Sequence, residues 1–288
     1  MKILNFGAVN IDYVYDVAAF ARSGQTISAR HFAKSIGGKG LNQSIALARA
    51  GAQVWHAGCV GRDGQFLVEY LKQNGVNTEC IRTVDAPTGH AIIQVNQTGQ
   101  NCIIICGGAN HCITQEHIEQ TLDRFSKYDA VLLQNEINHV GDIARKAHEK
   151  GMTVIFNPSP VTNLDVPLEL VDILLLNESE AAELFGELSV EAQIRTMVKT
   201  CPKTKFVLTL GSAGAVYADS QQTVWVDAVK TDVVDTTAAG DTFTGYFLAA
   251  YFAGEGVEQA LCNAAKAAAV AVSRKGASPA IPYKTEIL

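Results

Sequence analysis

The chain has 288 residues, 48% hydrophobic and 18% charged, with a formal net charge of −6. That size and balance suit one large α/β domain and exclude a disordered segment, and an acidic chain whose densest basic run is "SRKG" (273–276) lacks a nucleic-acid surface. No apolar stretch reaches membrane-spanning length, "MKILNFGAVN" turns polar too soon for a signal peptide, and seven cysteines without a CxxC pair read as reduced thiols of a cytoplasmic protein.

In chain order, "KILNFGAV" (2–9) reads as a first strand, followed by an alternating, strand-like stretch over 10–36. A helix is expected at 41–50, a strand at 53–61 and a helix at 63–75. Residues 87–108 alternate again, "GHAIIQVNQTGQNCIIIC", with a hairpin turn at "NQTGQN". Then come helices at 114–126 and 140–150, strands at 130–136, 152–158 and 172–178, a helix at 190–200 and a strand at 205–211. An apolar helical run ends the stretch 232–254. Apolar strands separated by amphipathic helices imply a parallel sheet covered on both faces. The segments 10–36 and 87–108 have no helix between their strands, which suggests a small antiparallel sheet projecting as a lid from a single domain spanning 1–288.

One cluster suggests a metal. Cys106, His111, Cys112 and His117 could form a zinc site, but their spacing fits no common finger. Thr114 reads as the N-cap of a helix that would carry His117 to the surface.

Ligands of open parallel sheets bind beyond the carboxyl ends of the strands. Those ends carry Asn10 and Asp12, Asn135 and Glu136, Asn157, Asn177 to Glu180, and Thr209 to Ser212. Any one of these is an ordinary turn or capping residue. Five polar ends together suggest a polyol and a phosphate. "TAAGD" (237–241) opens the apolar helix with small residues, so backbone N–H groups can approach an anion at its positive end. Asp241 beside that anion either caps the helix or takes a proton from an attacking hydroxyl. "SIGGKGLNQS" (35–44) is no P-loop, because Gly40 and Leu41 follow Lys39 where Ser or Thr is required. "NFGAVNID" lacks the G-x-G-x-x-G of a dinucleotide-binding oxidoreductase.

Two long motifs, "GGKGLNQSIALARAGAQVWHAGCVGRDGQF" (37–66) and "DTTAAGDTFTGYF" (235–247), stand in order with "NPSP", "NESE" and "TLGSAGA" between them. On these residues the chain resembles the ribokinase (PfkB-type) family of sugar kinases over essentially its whole length. The resemblance implies a three-layer αβα sandwich with a mostly parallel central sheet and a β lid. It also implies transfer of the γ-phosphate of ATP to a primary hydroxyl. By the same resemblance Asp241 is the catalytic base, with Ala238, Ala239 and Gly240 as the anion hole. Asn10, Asp12, Gly38, Lys39, Asn42 and Glu136 match sugar ligands, and Asn177 with Glu180 matches the N-x-x-E motif that organises phosphate and Mg²⁺ through water. Thr209, Gly211, Ser212 and Gly214, together with Gly240, match the nucleotide site. Asp235, the Thr237 carbonyl and carbonyls up to Gly276 match a K⁺ site, although Ala280 stands where the family often has a liganding serine.

"GGKGLNQ" and the lid hairpin resemble the ribokinase subgroup, which implies ribose as substrate. Deoxyribose, fructose, ribulose or a nucleoside are alternatives, since Tyr13 and Tyr15 after Asp12 either pack in the lid or stack on a base. A non-catalytic sugar-binding regulator would be expected to lose Asp241 or "AAG", and both are present. Pairing two lids would cover exposed edges, so a homodimer through the lid is expected.

Overall fold

The computed structural model describes residues 1–287. Its elements in chain order begin with β1 (Ile3–Phe6), β2 (Asn10–Asp16), β3 (His31–Gly37), α1 (Lys39–Arg49), β4 (Val54–Val60) and α2 (Gln65–Gln73). Next are β5 (Asn77–Thr83), β6 (Gly89–Val95), β7 (Asn101–Cys106), α3 (Gln115–Leu122), β8 (Ala130–Gln134), α4 (Val140–Glu149) and β9 (Thr153–Asn157). Then follow β10 (Ile173–Asn177), α5 (Glu178–Phe185), α6 (Val190–Thr200), β11 (Lys205–Thr209), β12 (Ala215–Ala218), β13 (Thr223–Val226), α7 (Ala239–Phe252) and α8 (Val257–Val272).

Nine strands form one sheet in the order β13-β12-β11-β10-β9-β8-β1-β4-β5. It is parallel from β5 to β11 and antiparallel at β12 and β13. The inner strands, such as "AVLLQ" and "ILLLN", are almost wholly apolar because both faces are covered. Along β10, Ile173 and Leu175 join the core under α1, α2, α7 and α8, while Leu174 and Leu176 join the core under α3 to α6. This is the expected three-layer arrangement. β1 lies between β4 and β8, and the helices after these strands fall on opposite faces, so the carboxyl end of β1 opens a crevice.

The lid is a four-stranded sheet, β3-β2-β6-β7. It is mixed rather than antiparallel as the sequence suggests: β2 and β6 pair in parallel, Asn10 opposite Gly89 through Asp16 opposite Val95. Both strands leave the same end of the main sheet, one after β1 and the other after β5, so they run the same way. Only β2–β3 and β6–β7 are antiparallel. The β6–β7 turn closes with Asn96 N–H donating to the Gln100 carbonyl, and Gly99 supplies a positive φ of 78°.

The expectation that the helix carries His117 to the surface is overturned, and the four residues of the zinc alternative do not form a metal-binding cluster among the described residues. His117 is 2% exposed, packs edge-on to Phe6 and donates through Nε2 to the Cys80 carbonyl at 2.9 Å. Cys106 is exposed on β7, and no cluster of three metal-binding side chains exists among the described residues. Thr114 is the N-cap, its hydroxyl accepting from His117 N. The helix starts where expected but turns His117 inward, because its apolar stripe (Ile118, Leu122) flanks that position.

Candidate active site

The crevice is built from strand ends and two helix N-termini. Gly38 precedes α1 with φ 95°, a conformation glycine adopts without strain. A Cβ at Gly40 would lie 2.6 Å from the Ala8 nitrogen, so α1 can begin against the end of β1 only because Gly40 lacks one. The result places Lys39 and Asn42 in the first turn of α1, facing the first turn of α7. Asn42 Nδ2 donates to Asp241 Oδ2 at 3.0 Å, and Gln43 Nε2 donates to Asp241 Oδ1 at 2.9 Å. Asp241 is 7% exposed.

A cavity of about 230 Å³ opens beside these groups, lined by Lys39, Asn157, Asn177, Glu180, Thr209 and Ala238 to Asp241, with Ser159, Thr236 and Thr244. At its rim Ala238 adopts a left-handed conformation (φ 60°), an uncommon one for a residue with a Cβ. The Ala239 N–H, expected in the anion hole, closes a turn onto the Thr236 carbonyl at 3.2 Å. The N–H groups of Ala238, Gly240 and Asp241 have no partner among the described residues. Nothing in the protein lies within 4 Å of a Cβ built on Gly240, so its bareness keeps space on the cavity side.

The charges are strongly coupled. Burial pushes the Lys39 ammonium down, but Asp241, Glu136 and Glu180 outweigh it and hold its pKa above the usual lysine value. Burial lifts Glu136 to about 7, against the pull of Lys39 and with the help of Asp241 and Asp12. Glu136 Oε2 accepts from the Lys39 N–H at 3.1 Å. Asp12, on β2, is raised by burial to about 6. Its carboxylate lies over bare Gly37 on the neighbouring strand, a space that a Cβ would fill. Asn10 is buried at the base of the lid, its Oδ1 accepting from Asn110 Nδ2 at 2.7 Å.

Of the other expected residues, Asn177, Glu180 and Thr209 line the same cavity, while Gly211, Ser212, Gly214 and Asp235 do not. Asn177 and Glu180 form a reciprocal capping box at α5: Asn177 Oδ1 accepts from Glu180 N–H, and Glu180 Oε2 accepts from Asn177 N–H. One carboxylate oxygen is thus committed to the backbone, which leaves Glu180 one further oxygen for a cavity-bound Mg²⁺ and suits an ion that keeps its water shell. The Thr209 hydroxyl donates to the Leu176 carbonyl at 3.3 Å; Gly211 and Ser212 are exposed in the turn after β11, and Gly214 (φ 102°) backs onto Val226. Asp235 Oδ1 accepts from Thr237 N–H and Oγ1, and Oδ2 accepts from Gly276 N–H at 2.9 Å. Burial opposes its ionisation, yet these bonds and Lys275 hold its pKa below the usual carboxylate value. An anionic Asp235 that ties Thr237 to Gly276 fits a monovalent cation. Ala280 is buried and offers no side-chain oxygen, while the Ser278 hydroxyl two residues earlier is buried without a partner. Asn10, Asp12 and the Asp235 cluster do not line the 230 Å³ cavity.

A family model described as pfkB family carbohydrate kinase matches residues 1–284. The chain belongs to that family. A ribokinase of Haemophilus influenzae is 33% identical, across 98% of this kinase and 95% of its own length. Among solved structures, ribokinase from Thermotoga maritima superposes with a TM-score of 0.90 at 32% identity, covering 100% of this chain and 98% of that one. Arabidopsis thaliana ribokinase complexed with ribose and ATP gives 0.88 at 30% identity, covering 99% and 97%. This kinase is therefore ribokinase-like in sequence and fold over its length.

Several site residues escape the sequence reading: Gln43, Gln134, Ser159, Thr236 and Thr244. Gln43 stands inside the quoted "GGKGLNQS", but nothing in the sequence tells an inward glutamine from a helix-surface one.

Proposed function

We propose that this kinase phosphorylates the primary hydroxyl of D-ribose with ATP, giving D-ribose 5-phosphate and ADP. The observation that carries the proposal is Asp241, a buried carboxylate set at the unpartnered N–H groups of the α7 N-terminus and gripped by α1. A carboxylate beside an anion-binding helix end has a chemical use when a hydroxyl attacks the anion. The sugar oxygen forms a bond to the γ-phosphorus, the bond from that phosphorus to the bridging oxygen breaks, ADP leaves, and Asp241 receives the hydroxyl proton. The N–H groups of Ala238 and Gly240 face the charge on the transferred group, and Lys39 adds a fixed positive charge.

Asp12, Asn10, Asn42 and Glu136 form the sugar side. Asp12, when ionised, accepts from two vicinal hydroxyls, as a furanose with 2- and 3-hydroxyls offers. Asn42 Oδ1 is buried with no partner, an acceptor left open for a hydroxyl. Ribose is favoured over fructose, ribulose or a nucleoside because the relatives of high coverage are named ribokinases and one is described with ribose and ATP. The nucleotide lies along Asn177, Thr209 and the turn of Gly211, Ser212 and Gly214. Glu180 would hold Mg²⁺ through water, which would neutralise phosphate charge, and Asp235 with the carbonyls of Thr237 and Gly276 would hold K⁺, which would support the anion hole.

The kinase is read as one domain whose β lid, from 10–36 and 87–108, excludes water on closure. Every residue of β7 is exposed, including Ile103, Ile104 and Ile105 at 48 to 60%, so a second lid covering this edge makes a homodimer. No helix among the described residues is long and apolar enough to cross a membrane, and nothing in the fold or charge calls for nucleic acid. A coupled ATP assay across ribose, deoxyribose, fructose, ribulose and nucleosides, with and without K⁺, tests the reading. The highest kcat/KM is expected for ribose with K⁺ present, and a higher value for any other acceptor contradicts it.

A further inference from the structure

Behind Asp241 lies a string of buried polar side chains that the phosphoryl transfer does not itself use. Gln43, Gln134, Asn5, Ser44 and His56 are all fully buried, so none is a solvent-facing ligand. They connect in series. Gln43 Nε2 donates to Asp241 Oδ1 and to Asn157 Oδ1, both at 2.9 Å. Gln43 Oε1 accepts from Gln134 Nε2 at 2.7 Å, and the same Nε2 donates to Asn5 Oδ1 at 3.0 Å. Asn5 Nδ2 donates to Ser44 Oγ at 2.9 Å and to the Gly40 carbonyl at 2.7 Å. Ser44 Oγ lies 2.8 Å from His56 Nδ1, and His56 Nε2 lies 3.2 Å from the Gly7 carbonyl.

The donor direction is dictated at each link. The Gly7 carbonyl can only accept, so His56 carries its proton on Nε2. Burial lowers His56 to about 4, so the ring is neutral and Nδ1 is an acceptor. Ser44 must then donate to it and accept from Asn5. Asn5 therefore turns its oxygen to Gln134, whose nitrogen faces two acceptors and cannot be exchanged with its oxygen. Gln43 in turn presents its nitrogen to Asp241. We infer that this chain, in which donation runs outward from Gln134, through Gln43 to Asp241 on one side and through Asn5 and Ser44 to His56 on the other, is a positioning device that fixes the rotamer of Asp241, so that one carboxylate lone pair stays aimed at the acceptor hydroxyl.

A second observation supports the assignment. Gln134 Oε1 is buried and has no partner, an arrangement that costs stability. A merely space-filling position would be better served by an apolar residue of that volume. The chain keeps a glutamine there, at the one link that joins Gln43 to Asn5. The strand β1 and helix α1 are thereby tied to the base on α7 through hydrogen bonds, and an error of about 1 Å in such a group can cost on the order of 100-fold in rate.

The inference rests on the reading of Asp241 as the base, and the test separates the two. Gln43→Met, which keeps length and volume but neither donates nor accepts as an amide does, and Ser44→Ala are each made in wild-type and Asp241→Asn backgrounds. Steady-state kcat and KM are measured with MgATP and the acceptor that turns over best in the panel above. In the wild-type background kcat is expected to fall about 10- to 100-fold for Gln43→Met and about 3- to 10-fold for Ser44→Ala, with sugar KM changed less than about threefold. On Asp241→Asn the same changes alter the residual rate less than about twofold, because there is no base left to position. Wild-type kcat in both variants, or equal factors in both backgrounds, overturns the positioning role. If Gln43→Met does not fold by circular dichroism, Ser44→Ala decides alone, since it removes one oxygen. Undiminished turnover in Asp241→Asn by itself instead contradicts the assignment of the base.

Discussion

Asn42 Nδ2 donates to Asp241 Oδ2 at 3.0 Å across 199 positions of sequence. The contact joins the N-terminal motif to the C-terminal one, and it exists because α1 and α7 cross closely. Asn42 is therefore bonded to the base on one amide atom, while the other, Oδ1, is buried without a partner, an acceptor that a sugar hydroxyl would satisfy. Asn42→Leu is expected to lower kcat about 10- to 100-fold and also raise the ribose KM, since it removes a link to the base and a sugar acceptor together. Steady-state kinetics at saturating MgATP check this, and an effect on KM alone would leave the contact with Asp241 without consequence.

The close crossing has its own signature. A Cβ at Gly245 on α7 would collide with Ala46 and approach the Leu47 nitrogen to 2.7 Å, whereas one at Gly240 meets nothing within 4 Å. Gly245→Val should thus lower stability by about 1–3 kcal/mol through overpacking and shift α7 away from Asn42. Gly240→Ala should melt within about two degrees of wild type, yet lose about 10- to 100-fold in kcat by crowding the anion hole. Thermal denaturation and kinetics on the two variants separate packing from site. A stable, fully active Gly240→Ala enzyme would remove that N–H cluster from the mechanism.

Asp12 gives a pH prediction with a definite sign. Burial raises its pKa from 3.8 to about 6, so between those values the folded chain holds a proton that the unfolded chain has released. The stability this contributes is present below about pH 4 and lost as pH rises through about 6. Asp12→Asn should therefore raise Tm by a few degrees at pH 7.5 and leave it nearly unchanged at pH 4. The ionised form is the one that accepts sugar hydroxyls, so wild-type ribose KM should fall as pH rises from 5 to 7. The amide of the Asp12→Asn variant cannot titrate, and its KM should lose the limb near pH 6 while staying high throughout. Calorimetric melts and a KM–pH profile test both halves.

The lid supplies a prediction about assembly. Ile104 is 60% exposed on an edge strand, with Ile103 and Ile105 pointing to the other face. Ile104→Lys is expected to shift the light-scattering mass at micromolar concentration from two chains to one, because a charge on the edge blocks pairing. A wild-type mass of one chain would contradict the lid dimer directly.

Much of this fold is legible in the sequence, for identifiable reasons. Strands such as "AVLLQ" and "ILLLN" are apolar on both faces, and the helices between them carry a clear period, so a parallel sheet covered on both faces follows from pattern, while the three-layer sandwich as a whole is what the family resemblance implies. β5, β12 and β13 are not singled out. β5 alternates at a sheet edge, and the other two have only four residues each. The helix α8 is rich in alanine, which leaves little periodic contrast to read. At the site, Asp241 and Lys39 stand out because each neighbours bare glycines. Gln43, Gln134 and His56 do not, since their meaning lies in which neighbour each one faces, and the bond of Gln43 to Asp241 spans 198 positions. The inward turn of His117 is hidden for the same reason: its partners, Cys80 on β5 and Phe6 on β1, are far from α3 in sequence.

The measurement that bears most directly on the account is single-turnover phosphorylation of ribose by Asp241→Asn, paired with calorimetric titration of ribose and of MgATP. Ribose and nucleotide affinities within about threefold of wild type, with the phosphoryl-transfer rate reduced about 1,000-fold or more, are the predicted result. Transfer at the wild-type rate by that variant would contradict Asp241 as the base and the mechanism built on it.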